Sequence, residues 1–119
     1  MTTLAEELEN YYCSEYYYSI KPFREVVTDG VKAFIEKGNA FWAISEICIN
    51  RMKLIEKGII DYETPLFSRI ESTGKKAKIF IEDGNGEVIK KRNIARTDLE
   101  KGTYHIWLMD NVFLLRSEY

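Results

Sequence analysis

Residues 77–92, AKIFIEDGNGEVIKKR, constrain this chain more than any other stretch. Two strand-like runs flank Glu82-Asp83-Gly84-Asn85-Gly86-Glu87, a compact turn signal. Gly84 and Gly86 can take positive φ without a Cβ penalty, and Asn85 tolerates the left-handed region better than most residues. The pattern predicts a β-hairpin. A two-residue loop at Gly84-Asn85 sets Ile81 opposite Val88 and Phe80 opposite Ile89, with Ile79, Ile81 and Val88 on one face. A three-residue loop shifts each partner by one.

The residues after it repeat the theme. Tyr104–Met109 and Val112–Leu115 read as a second hairpin turned at Asp110-Asn111, apolar on both faces. Such strands are covered on both sides, or meet helices on one face and a partner on the other. Leu66–Ile70 follows Pro65, alternates loosely and reads as an edge strand.

The N-terminal half is helical in pattern. Thr2 or Thr3 can cap a helix running to about residue 12, with Leu4, Leu8 and Tyr11 or Tyr12 on one stripe. The run from Tyr11 to Tyr18 holds five tyrosines in eight residues, and either continues that helix or becomes extended. Thr28-Asp29-Gly30 offers an N-cap for Val31–Lys37, with Gly38 after it. Asn39 can cap the longest helix, from Ala40 to about Lys57 with Gly58 terminating it or, alternatively, only to near Asn50. Helices first and strands second predict one α+β domain over residues 1–119. Its N-terminal helices pack on one face of a C-terminal antiparallel sheet built from β-hairpins.

Composition fits a globular chain: 45% apolar, 30% charged, 13% aromatic, in 119 residues. A chain of this size buries a core without staples. The net charge of −2 argues against a dedicated nucleic-acid domain. It is unevenly spread, since residues 1–29 hold six acids against two bases. Cys13 and Cys48 stand apart, without ligand spacing, so a reduced cytoplasmic setting is expected. The start MTTLAEELEN lacks the basic and apolar regions of a leader, and no apolar run reaches the roughly 20 residues of a membrane span.

Several short motifs occur in order: Thr28-Asp29-Gly30-Val31, the aromatic-led Ala40-Phe41-Trp42, Glu82 to Gly86, Thr97-Asp98-Leu99 and the C-terminal Ser117-Glu118-Tyr119. In that order the chain, over residues 10–119, resembles a family of small bacterial proteins that form a domain of unknown function. The resemblance implies the architecture and brings no activity, cofactor or site residue.

Catalytic signals are sparse. His105 is the sole histidine. A catalytic histidine needs an orienting acceptor and a nucleophile in reach, and beside Ile106 and Trp107 a structural or surface role fits better. An enzyme would show as a deep pocket gathering His105, carboxylates and a hydroxyl. No metal or cofactor is expected, because one histidine and two separated cysteines do not make a ligand set. The oxygens of Glu82, Asp83, Asn85 and Glu87 lack the spacing of an EF-hand loop. The glycines at 84 and 86 join strands among acids, unlike a phosphate loop opening a helix.

Two features remain. Tyr16, Tyr17 and Tyr18, with Trp42, offer rigid apolar area with polar tips, the chemistry of protein contacts. Lys76 and Lys78 face Lys90, Lys91 and Arg92 across the central hairpin, and like charges on neighbouring strands call for an anion or for solvent. The leading expectation is a non-enzymatic intracellular protein-interaction domain that self-associates, for instance as a homodimer. Inhibitor-type binding proteins of bacteria or their phages are one class of that kind. The alternative is a nucleic-acid-binding module using the lysine-rich hairpin.

Overall fold

The computed structural model describes residues 2–119. Alternation decides the layering. In strand β3 (Leu66–Ser72) every second residue is buried, and the same holds in β4 (Ala77–Glu82) and β6 (Gly102–Met109). The buried set, including Ile70, Ile79, Ile81 and Ile106, joins Phe34, Ile44 and Ile47 from the helices in one apolar core. The helices are α1 (Leu4–Leu8), α2 (Asp29–Gly38) and α3 (Phe41–Glu56), and their buried apolar side chains belong to that core. The class is α+β, with helices against one face of a sheet.

The sheet has seven strands in the order β1-β2-β7-β6-β3-β4-β5. Strand β5 (Val88–Ile94) forms one edge. At the other end, β7 (Val112–Leu115) is followed by β2 (Val26–Thr28) and β1 (Tyr17–Ser19). The sheet is mixed, not wholly antiparallel, because β2 lies parallel to β7 with Val27 beside Phe113. It is not wholly C-terminal either, since β1 and β2 precede the longer helices. The tyrosine run has become extended chain.

Local chemistry explains the boundaries. Thr3 accepts from the Glu6 amide at 3.1 Å, but α1 stops at Leu8, short of the expected residue 12. Thr28 caps α2 by accepting from Val31 N at 3.3 Å. Asn39 ends α2 in the left-handed conformation (φ 49°) and does not cap α3, whose N-cap is Ala40. Gly58, at φ +73°, follows the end of α3. Asp110 and Asn111, both at positive φ, form the tight turn between β6 and β7.

Two expectations about strands are corrected. Strand β3 is interior, bonded to both β4 and β6, because Pro65 sits just outside the ladder and removes no donor from it. The loop between β4 and β5 is longer than two residues. Asp83 Oδ1 accepts from Asn85 N at 2.8 Å and Glu87 N at 3.1 Å, which winds the turn around its own side chain. A bulge follows, so Glu82 pairs with Val88, Ile81 with Lys90 and Phe80 with Lys91. Val88 is exposed and does not join Ile79 and Ile81.

One ion pair is deeply placed. Arg51 donates to Glu25 Oε2 at 3.0 Å and to the Tyr62 carbonyl at 2.9 Å, tying α3 to the segment before β2. The buried face of α3 includes the polar Asn50 as well as Arg51.

The C-terminus closes the fold. After β7 a 3₁₀ turn (Arg116–Glu118) brings Glu118 back to the start of α2. Its carboxylate accepts from Thr28 Oγ1 at 2.6 Å, Gly30 N at 3.1 Å and Leu115 N at 2.9 Å. A Cβ on Gly30 would lie 2.6 Å from Glu118 Oε1 and 2.7 Å from Leu115 Cδ1. Gly30→Ala should therefore cost about 1–3 kcal/mol in urea unfolding through overpacking. Gly84→Ala, with open space around it, should be near neutral. Equal midpoints for the two variants would contradict this packing.

Candidate functional site

Strand alternation that sends half the side chains to the helices sends the other half to a face that no helix covers. Register places them in rows. Leu114, Trp107 and Phe67 form one row across β7, β6 and β3. His105, Arg69, Phe80 and Lys91 form the next, across β6, β3, β4 and β5. Thr103, Glu71, Lys78 and Asn93 form the third.

The first row is aromatic. The Phe67 and Trp107 rings meet edge-on with centroids 5.0 Å apart, and Tyr119 adds a second edge contact to Trp107 at 5.2 Å. Such pairs add about 0.5–1.5 kcal/mol beyond area burial. Tyr119 itself is 79% exposed. The second row is cationic but internally balanced. Arg69 lies 4.4 Å from the Phe80 ring centroid and pairs with Glu71 at 2.7 Å and Glu82 at 3.0 Å. Lys91 lies 5.5 Å from the same ring.

The residues singled out in the sequence divide. Tyr16 and Tyr17 are 62% and 63% exposed. Tyr18 faces the helices: its hydroxyl donates to Asp29 Oδ1 at 2.8 Å and Lys32 Nζ sits 4.3 Å from its ring. That hydrogen bond raises its pKa, while amide and hydroxyl donors, the Glu15 N–H foremost, lower that of Asp29. Trp42 is half-buried in α3 and lines a small recess with Asn39, Arg96, Thr97 and Asp98, none of them in β1. The four aromatics are therefore not brought together.

The basic hairpin divides as well. Lys78 and Lys91 belong to the open face by register. Lys90 pairs with Ile81 and Arg92 with Ile79, which puts both on the helix side, and Arg92 Nε bonds Glu46 of α3 at 3.2 Å. Lys76 lies in the turn before β4. The aromatic row was missed at the sequence level, because Phe67 and Trp107 become neighbours only through the pairing of β3 with β6.

A pocket of about 280 Å³ does gather His105, Glu9, Thr103 and Ser117. Its groups are turned elsewhere. Ser117 Oγ donates to the Tyr11 carbonyl at 2.6 Å, and Tyr104 Oη to the Glu100 carbonyl at 2.7 Å. Burial, then the nearby Glu100 carboxylate, pushes the Tyr104 phenol up to about 12. Among the described residues no hydrogen bond joins His105 to Ser117 or Glu9. Cys48 is buried, and desolvation pushes its thiol well above the ordinary range, which leaves it unreactive. No group of three or more His, Cys, Asp or Glu suited to a metal occurs among the described residues. No helix among them is long and apolar enough to cross a membrane.

Desolvation, aided by Arg116 and Arg69, lowers the His105 pKa from 6.5. The unfolded chain then binds the proton more readily than the folded one. The stability this gives is present above about pH 6.5 and is lost as pH falls through that value toward the lowered folded value. The urea midpoint of the parent protein should drop more between about pH 7.5 and 5.5 than that of His105→Asn. Parallel drops in the two proteins would contradict the assignment.

No curated protein and no solved structure matches the chain. A model for a family of unknown function (DUF6876) matches residues 2–119, and the chain belongs to that family.

Proposed function

We propose that the protein is a non-enzymatic protein-contact domain and that it self-associates through the open face of its sheet. The observation that carries this is the half-buried Leu114–Trp107–Phe67 row, joined by the exposed Tyr119, on the sheet face opposite the helix-packed core. Aromatic side chains in the centre of a patch are the usual anchors of protein contacts. Beside them Arg69 is already paired with Glu71 and Glu82, so the aromatic end of the face presents little net charge of its own. That apolar end suits a second copy of itself around a two-fold axis.

The sheet edges support faces rather than edges as the meeting place. Strand β5 carries Lys90, Lys91 and Arg92, and lysine-rich edges resist strand addition. Strand β1 is three residues long, too short to template a stable extension. Tyr16 and Tyr17 flank the contact as exposed apolar area, whereas Tyr18 is a packing residue. The free thiols of Cys13 and Cys48 support a reducing, cytoplasmic setting.

Light scattering across a concentration series should give a dimer that persists at high salt, as an apolar interface does. Trp107→Lys combined with Leu114→Lys should give a monomer with unchanged far-ultraviolet dichroism. A parent protein that stays monomeric at every concentration would overturn the self-association, and so would a dimer that survives the double substitution. Tyr16→Ser with Tyr17→Ser should leave the urea midpoint within the small range of surface changes, about 0.5 kcal/mol. Tyr18→Ser should lower it further.

A further inference from the structure

A groove of about 720 Å³ lies at one end of the sheet. The turn between β3 and β4 and the loop between β5 and β6 converge there: Thr97 N bonds the Lys75 carbonyl at 2.9 Å, and Ser72 Oγ bonds the Leu99 carbonyl at 2.7 Å. Lys76, Lys78 and Lys101 line the groove together with Asn93, Ala77, Ile94 and Ala95. Lys101 is far in sequence from the other two lysines, so the fold alone assembles the trio.

Three lysines outnumber the one carboxylate of the lining, Glu71. Among the described residues, none of the three lysines is in an ion pair. Glu71 also lines the groove, but Arg69 holds it at 2.7 Å. The neighbouring Glu100 is turned away to accept from Leu4 N at 2.8 Å. Three like charges around one concave surface repel one another, and a polyanion relieves that repulsion.

We propose that this groove binds a nucleoside phosphate, either free or within a single strand, with the phosphates on Lys76, Lys78 and Lys101. The cations are all lysine, which suits phosphate as a set of point charges. Ala77 and Ile94 of the lining pack into the core from the other side of the sheet, so the ring a base can stack on is Phe80, on the face that carries Lys78. One row up from Lys78, that ring lies between two cations.

The test is fluorescence polarisation with a labelled mixed-sequence single-stranded oligonucleotide, at low and rising salt. Binding is expected, with log K falling at a slope of about −2 against log salt for three phosphate contacts. Lys78→Glu with Lys101→Glu should weaken it at least tenfold, with dichroism unchanged. The charge-matched control Lys53→Glu with Lys57→Glu, in the last turn and at the C-cap of α3, should weaken it much less. Displacement by unlabelled ADP assigns the ligand to free nucleotides, and displacement by unlabelled oligonucleotide alone assigns it to a strand. No binding of either at low salt would overturn the proposal, and so would equal loss in the control or stronger competition by poly-glutamate. Dimer formation measured on the same samples keeps this outcome separate from the fate of the apolar face.

Discussion

The Glu118 carboxylate is the fastening on which the arrangement depends. It accepts hydrogen bonds from the cap of α2, from the amide of Gly30 and from the last residue of β7. A carboxylate at a helix N-terminus also meets the positive end of the helix dipole. This contact joins the C-terminal turn to the point where β2 turns into α2, and adds to the β2–β7 ladder and the buried Val27–Phe113 pair that set β2 beside β7. The motifs Thr28-Asp29-Gly30 and Ser117-Glu118-Tyr119 are thus two sides of one joint. Thr97-Asp98-Leu99 is structural in the same way: Leu99 is fully buried and its carbonyl anchors Ser72.

Features set by neighbours in sequence were legible. The Thr28 cap, the stop at Gly58 and the turn at Asp110-Asn111 each follow from a few residues and their allowed dihedrals. The central hairpin was legible as a hairpin but not in register, because Asp83 reorganises the loop with its own side chain. The interior position of β3, the parallel β2–β7 pair and the buried Arg51–Glu25 link depend on partners far along the chain. No local pattern reports such pairing, and a charged residue within an amphipathic helix reads as solvated until its partner is known.

The candidate surfaces were legible only in part, for a geometric reason. Strand periodicity of two sends adjacent lysines to opposite faces, so the run Lys90-Lys91-Arg92 cannot act as one ladder. Its members serve an edge, an open face and a link to Glu46. Conversely, Lys101 joins Lys76 and Lys78 through loop convergence, and Phe67 joins Trp107 through strand pairing. Tyrosine density drew attention to residues 11–18, yet the aromatic surface lies elsewhere, on strands whose second face has no helix. Apolar character on both faces of β6 and β7 was the sequence signal that pointed to it.

The central claim is that the uncovered aromatic face is the contact surface, and Trp107 can report on it directly. In a Trp42→Phe variant, Trp107 is the remaining tryptophan. Acrylamide quenching of its fluorescence should weaken as protein concentration rises, because association buries the ring. Quenching that stays the same while scattering shows association would place the interface elsewhere and contradict the account.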